Sequence, residues 1–169
     1  MTAAPPPADA PVLHLLCGKI ASGKSTLARR LAAAPGTVLI CEDDWLARLY
    51  QGEIATLEDY VRCSRRLRAV MGGHVTALLR SGVSVVMDAQ ANTAETRRGL
   101  RRLFETAGVA HRLHVLDLPD DLCKARLRQR NAAGGHPFSP SEADYDLFTS
   151  LFQAPRAEEG FHVIVHPAP

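Results

Sequence analysis

The rhythm of apolar and polar positions changes repeatedly along the chain. Val12-Leu13-His14-Leu15-Leu16-Cys17 is apolar at nearly every position, as a strand buried on both faces of a parallel sheet is. Lys24 to Ala34 follows, with Leu27 and Leu31 four apart and alanine over much of the rest, which predicts a helix. Pro35-Gly36 turns the chain into a second apolar run, Thr37 to Cys41. Between Leu57 and Ser81, the residues Leu57, Tyr60, Val61, Ser64, Leu67, Met71, Val75 and Leu78 recur at helical spacing, with a kink or break expected at Gly72-Gly73. Val83 to Met87 is a third strand, ending at Asp88. A helix carrying Leu100, Leu103 and Phe104 comes next, with Asn92-Thr-Ala-Glu95 as its expected capping box and Asn92 as the cap. His111 to Leu118 reads as a fourth strand, and Pro119 opens a helix bearing Lys124, Arg126, Arg128 and Arg130. Asn131 to Pro137 reads as a flexible break. Ser139-Pro-Ser-Glu142 is the expected cap of one more helix, running toward Gln153, and Phe161 to His166 is the last strand.

Five strands alternating with helices argue an α/β fold, a doubly wound parallel sheet. Such sheets bind ligands at the carboxyl ends of their strands. Gly18 to Ser25, Asp43, Asp44 and Asp88 all follow expected strands, so they are expected to meet at one rim. Residues 1–11 are rich in Pro and Ala, without a basic start or an apolar core of a signal peptide, and read as a flexible tail. Residues 12–169 read as a single domain.

Composition narrows this picture modestly. The chain has 169 residues, 46% hydrophobic and 22% charged, an ordinary globular balance. A net charge of +2 gives no strong field favouring nucleic acid or a membrane, and no apolar stretch approaches a membrane span. Cys17, Cys41, Cys63 and Cys123 are widely spaced with no C-x-x-C pair, so neither zinc nor a redox motif is indicated. Cys17 and Cys41 lie in apolar strand runs and read as buried free thiols, which fits a reducing, cytoplasmic setting. The seven histidines show no metal spacing.

The strongest chemistry lies between the first strand and the first helix. Gly18-Lys19-Ile20-Ala21-Ser22-Gly23-Lys24-Ser25-Thr26 fits G-x-x-x-x-G-K-[ST] without a mismatch, and strand–loop–helix is the context this phosphate-binding motif requires. Glycines permit the turns that gather backbone N–H groups around an anion. Lys24 offers a mobile cation for β/γ-phosphates, and the Ser25 hydroxyl can take a place on Mg²⁺. The guanine-specifying N-K-x-D motif is absent, so ATP is the expected nucleotide.

Taken with E-D-D-W after the second strand, V-V-M-D after the third and R-L-R-Q-R in the late helix, the loop resembles a known family. It is the small P-loop kinase group that includes phage polynucleotide 5′-kinase, gluconate kinase, chloramphenicol phosphotransferase and the zeta toxins. The resemblance spans about Val12 to His166. It implies a five-stranded parallel sheet in the order 2-3-1-4-5, an ATP donor with Mg²⁺, and an arginine-bearing lid. Asp43 corresponds to the aspartate that accepts the proton of the attacking hydroxyl, Asp88 to the aspartate after the third strand, and Arg130, with Arg126 second, to the lid arginine. Two features depart from polynucleotide kinase. Glu42 stands where that enzyme has Arg, and Ala89-Gln90-Ala91 separate Asp88 from Asn92. Both touch the acceptor side, so the acceptor's identity does not carry over.

Each residue also has a plainer reading. Asp43 can be a general base or a helix cap, with Asp44 the expected cap of the two. Asp88 can direct Mg²⁺ or simply end a strand. Arg126 and Arg130, four apart, share a helix face before a Gly-Gly pair, which suits a lid closing over phosphates. Arg97, Arg98, Arg101 and Arg102 read as a solvated face. Arg62, Arg65, Arg66 and Arg68 read equally as a solvated face or as a grip for an anionic acceptor, and Trp45 as packing or as a stacking platform. His136 reads as a loop histidine within reach of substrate. The expected activity is ATP-dependent phosphoryl transfer to a hydroxyl of a small molecule. A nucleic-acid 5′-hydroxyl kinase and a nucleotide-binding switch are the alternatives.

Overall fold

The computed structural model describes residues 10–167. Most of the tail expected over residues 1–11 lies outside them. Five strands, β1 (Val12–Gly18), β2 (Thr37–Cys41), β3 (Ser84–Gln90), β4 (Ala110–Leu116) and β5 (Val163–His166), form one parallel sheet in the order β2-β3-β1-β4-β5. Helices α1 (Lys24–Ala32), α2 (Glu42–Leu49), α3 (Leu57–Arg80), α4 (Ala94–Ala107), α5 (Asp120–Ala133) and α6 (Glu142–Ser150) surround it.

The near-continuous apolar strands of the sequence are explained by two buried faces. Side chains alternate across a strand, so Leu13, Leu15 and Cys17 of β1 join Met71, Val75 and Leu79 of α3 and Leu100 and Phe104 of α4. Leu16 points the other way, into Leu27 of α1, Leu127 of α5 and Tyr145 of α6. Both cores meet at the sheet, which fixes the carboxyl ends of β1, β2 and β3 relative to one another.

Several local expectations are corrected by this packing. Helix α3 runs unbroken through Gly72-Gly73. A Cβ on Gly72 would lie 3.3 Å from Leu103 Cδ2, so the glycine serves close approach of α4 rather than a kink. Thr93, not Asn92, caps α4, its side chain accepting from the Thr96 N–H. Asn92 is drawn instead to the phosphate loop. Ser141, not Ser139, caps α6, in a reciprocal box with Asp144. That helix ends at Ser150, where Gln153 turns back to bond Asn92 O and the Ala94 N–H. Helix α5 extends through Ala133, so the break starts only at Gly134.

The expected solvated face of α4 is also corrected. Arg97 is fully buried. Its guanidinium pairs bidentately with Glu159 at 2.6 and 2.8 Å and donates to the carbonyls of Ala91 and Gln153. Every strong donor direction finds a partner, which is what permits a charge to be buried. Arg101 pairs with Glu105 and reaches Glu159 O, and Arg98 is exposed. Arg97 and Arg101 fasten the segment before β5 to α4, while Arg98 and Arg102 keep the expected solvated face.

Three histidines unmarked by sequence spacing form a chain across the sheet. His14 Nδ1 lies 3.0 Å from His114 Nε2, and His114 Nδ1 lies 2.9 Å from His166 Nε2. They come from β1, β4 and β5, each displaced two residues from its neighbour's register partner. Among the described residues no group of three or more His, Cys, Asp or Glu is arranged to hold a metal.

Candidate functional site

The loop 18–23 turns at the carboxyl end of β1 and delivers the chain into α1. Its glycines have separate steric reasons. A Cβ on Gly18 would lie 2.8 Å from both Leu116 O and Ser22 Oγ, so the backbone of β4 leaves no room for a side chain. Gly23 precedes α1 with φ +100°, a conformation that favours glycine. Ala21 also has positive φ, 60°, so alternating backbone signs curl this stretch. Asn92 braces it: Oδ1 accepts from the Gly18 N–H and Nδ2 donates to Gly18 O, both at 2.9 Å. Lys19 is anchored on Asp120 at 2.6 Å, and Tyr145 OH donates to the same carboxylate oxygen at 2.9 Å.

Lys24 Nζ donates to Gly18 O and Lys19 O at 2.8 and 2.6 Å, curled over the loop's own carbonyls. Poor solvation there pushes its ammonium down to about 8, although Asp88, Cys17 and Asp43 favour the charge. Ser22 Oγ is buried without a partner among the described residues.

A cavity of about 740 Å³ extends from this loop. Of the expected site residues, Ala21, Ser22, Gly23, Lys24, Ser25, Thr26, Asp43, Asp88, Arg126 and Arg130 all line it. Gly18, Lys19 and Ile20 form the loop behind that wall; the Ile20 side chain belongs to the core under α1 and α5. The shared rim expected from the strand ends is therefore formed by the phosphate loop, Asp43 and Asp88, but Asp44 does not line the cavity.

Asp43 sits in the first turn of α2, not at a cap. The N-cap position is Cys41, and no side chain caps this helix, so the capping role expected of Asp44 is absent and Asp44 is exposed. Tyr60 of α3 donates its hydroxyl to Asp43 Oδ1 at 3.0 Å, and His136 Nε2 approaches Oδ2 at 3.9 Å. Burial raises the Asp43 carboxyl above its ordinary value, against the Tyr60 hydrogen bond and His136. Burial and the neighbouring Asp43 hold the Tyr60 phenol well above 10, so Tyr60 remains a donor.

Asp88 lies inside β3 rather than after it, opposite Cys41. The β1–β3 register slips between Leu15 and Leu16, which pair with Met87 and Gln90. Such a bulge re-aims side chains beside a site. Gln90 beyond it lines the cavity.

Helix α5 supplies the arginines. Lys124 and Arg128 pair with Asp146 and Glu142 of α6, leaving the other face to Arg126 and Arg130. A Cβ on Gly23 would lie 3.9 Å from Arg126 Nη1. Arg130 Nε is buried without a hydrogen-bond partner among the described residues, and burial lowers its guanidinium from the ordinary value while Asp43 opposes that shift. Arg68, by contrast, is not available as an anion grip. It forms a bidentate pair with buried Glu42 at 2.8 and 2.7 Å. Trp45 packs against both the α3 core and the Leu46–Cys63–Leu67 cluster, which settles it as packing.

Two site residues escape a reading of the sequence. Tyr60 belongs to the apolar stripe of α3, and Asn92 carries a helix-cap pattern; neither has a spacing that points to the loop.

A phosphate loop of this geometry, on a parallel sheet ordered 2-3-1-4-5 and flanked by helices, defines the P-loop NTPase fold in its kinase form. Within that class, a family model described as an AAA domain matches residues 13–155, and the chain belongs to that family. A kinase candidate from Chloroflexus aurantiacus is similar in structure, with a TM-score of 0.75 and 20% identity over 95% of this chain and 87% of that one. A gluconokinase from Sinorhizobium meliloti 1021 is similar with a TM-score of 0.61 and 19% identity, over 94% and 83% of the two chains. A chain of the Pnkp1/Rnl/Hen1 RNA repair complex has a TM-score of 0.60 and 25% identity, over 89% of this chain and 47% of its own. No curated protein matches by sequence. Among the described residues no helix is long and apolar enough to cross a membrane.

Proposed function

We propose that this chain is an ATP-dependent phosphotransferase that moves the γ-phosphoryl group to a hydroxyl of a small-molecule acceptor. The observation that carries the reading is Asp43. It is fixed by Tyr60 and opens on the cavity that also holds Lys24, Asp88, Arg126 and Arg130. A pure nucleotide switch has no need of a partly buried carboxylate across the cavity from the phosphate loop.

In this reading, Gly18 to Thr26 cradle the phosphates, and Lys24 leaves its loop carbonyls to bind β/γ-oxygens. The acceptor O–H gives its proton to Asp43 as its oxygen bonds to the γ-phosphorus. The bond from that phosphorus to the β–γ bridging oxygen breaks, and ADP leaves with the electron pair. The partly buried, raised carboxyl of Asp43 is a better proton acceptor than an exposed aspartate. Arg126 and Arg130 meet the phosphoryl oxygens, and the unpaired Nε of Arg130 is a donor awaiting an acceptor. Mg²⁺ would neutralise charge on the β/γ-oxygens. Ser25 and Asp88 would hold it, a sparse oxygen set of the kind that suits an ion bound mostly by phosphates and water.

Asp43→Asn keeps shape and removes proton acceptance. With an acceptor found by screening γ-labelled ATP, kcat is expected to fall by about 10²–10⁴ while ATP affinity stays within a few-fold. Asp44→Asn is expected to leave turnover near wild type. Loss of turnover in Asp44→Asn alone reverses the assignment.

Action on a nucleic-acid 5′-hydroxyl is the second reading. The likeness to a chain of an RNA repair complex favours it. A 5′-hydroxyl oligonucleotide in the same screen decides between the two.

A further inference from the structure

Beyond Asp43 the nucleotide cavity opens into a second, smaller chamber of about 260 Å³, between the amino end of α3, the segment after Gly134, and α6. It shares Asp43, Tyr60, Gln90, Arg130 and His136 with the nucleotide cavity, so a hydroxyl held in it can approach Asp43. A larger cavity of about 910 Å³ also adjoins Tyr60 and Gln90, but Asp43 does not line it. Its other walls are of a different character. Ile20, Ile54 and Leu57 supply aliphatic surface, and Phe138 and Phe148 supply rings. The Tyr60 ring stands nearly perpendicular to both, with centroids 5.5 Å from Phe138 at 87° and 6.4 Å from Phe148 at 88°. Such a corner of rings accepts a flat apolar body on its faces.

Of the polar side chains that line only this chamber, Ser139 is exposed and Thr56 and Asp144 are committed to helix caps. Thr56 Oγ1 accepts from the Asp59 N–H and donates to its carboxylate, as the cap of α3. The Asp144 carboxylate accepts from the Ser141 N–H and hydroxyl, as part of the cap of α6. Gln90 Oε1 faces Asn92 Nδ2 at 3.4 Å. Hydroxyl recognition is thus concentrated at the junction with the nucleotide cavity. A polyhydroxylated acid would bury hydroxyls against Ile54, Phe138 and Phe148 without partners, and each unsatisfied group weakens binding. A second anion on the acceptor would meet Asp43 and Asp144, and the lining's basic groups, Arg130 and His136, are both shared with the nucleotide cavity. The volume is also below the range of about 300–1,000 Å³ for sites that take drug-sized ligands.

We infer that the acceptor is a compact, uncharged alcohol with a flat apolar, aromatic body, its ring held among Tyr60, Phe138 and Phe148 and its hydroxyl at Asp43. This rests on the phosphotransferase reading for the chemistry, but the binding claim stands on the chamber alone.

The test uses the full chain with 2-phenylethanol, gluconate and a 5′-hydroxyl octanucleotide as probes, and reads both γ-label transfer and direct binding of 2-phenylethanol by ligand-observed NMR. Labelling of 2-phenylethanol with at least about 100-fold higher kcat/KM than either competitor is expected. Phe138→Ala and Phe148→Ala should each raise its KM about tenfold, with kcat within about threefold and the KM for ATP within about twofold. Phe138→Leu keeps apolar volume without a ring and serves if an alanine variant melts. Preferred labelling of gluconate or the octanucleotide overturns the inference while the phosphotransferase reading stands. So does a KM unaffected by loss of the rings. If no probe is labelled yet 2-phenylethanol binds and Phe148→Ala abolishes binding, the chamber is upheld and the phosphotransferase reading fails. No labelling and no binding overturns the chamber.

Discussion

Lys24 illustrates how one side chain is held ready by its surroundings. Its ammonium satisfies two loop carbonyls at 2.6 and 2.8 Å, where phosphate oxygens would outcompete neutral acceptors. Removing it takes away a preorganised cation, and Lys24→Ala is expected to lower phosphoryl transfer by about 10²–10³ and to weaken ATP binding. Turnover and nucleotide titration of the variant check this; a wild-type rate would remove Lys24 from the site. Tyr60 and Glu42 act at the same scale. Each uses a hydrogen bond to fix α2 against α3, so the carboxylate of Asp43 has a defined direction.

At the scale of elements, the phosphate loop depends on a residue outside it. Asn92 lies on the connection from β3 to α4 and spans both polar groups of Gly18. Asn92→Ala leaves that N–H and C=O without their partner, so a loss of about 1–3 kcal/mol is expected in urea unfolding. ATP affinity should fall with it, since the loop is no longer held in its turn. The element after α5 carries a different expectation. Gly134 and Gly135 have φ of +71° and +85°, and the segment beyond them returns Phe138 to Tyr60 and His136 toward Asp43. If this segment closes with Arg126 and Arg130 over phosphates, ATP protects the bond after Gly134 from proteolysis partly and ATP with acceptor protects it more. Arg130→Lys should then be inactive, because an ammonium lacks the planar fork. Equal cleavage in all states, with an active Arg130→Lys, would leave the arginines as ordinary charges.

For the whole molecule, the histidine chain across β1, β4 and β5 sets a pH limit. Burial, then nearby charges such as Arg112, push His14 and His114 down to about 4. Between about pH 4 and 6.5 the unfolded chain therefore binds protons that the folded chain refuses. The stability these rings contribute is complete above about 6.5 and is lost as the pH falls toward 4. One such group accounts for about 3 kcal/mol over that range. Urea midpoints should fall steeply from pH 7 to 4.5, and His14→Gln with His114→Gln should flatten the slope. Ring nitrogens that titrate near 6.5 in the folded protein would contradict this.

Much of the molecule follows from local sequence. Apolar runs with period-free burial, helical stripes and Pro/Gly punctuation specify five strands, the helices between them and the phosphate loop, because each signal acts over a few neighbouring residues. The rim that gathers Lys24, Asp43 and Asp88 was also legible, since parallel strands must present their carboxyl ends on one side. Other features were decided by residues distant in the chain. Arg97 is a solvated charge by local pattern, and becomes a buried staple only because Glu159 and the Gln153 carbonyl arrive 62 and 56 positions later. Arg68 belongs to a basic helix until Glu42 claims it, and Gly72-Gly73 would weaken an isolated helix that α4 holds straight. Asn92 caps nothing because Gly18, 74 residues away, offers it two bonds. The sequence determines which elements form and in what order they follow along the chain. Partner choice among polar side chains is a tertiary property, because a buried charge or amide takes whichever complementary group packing brings within hydrogen-bond distance.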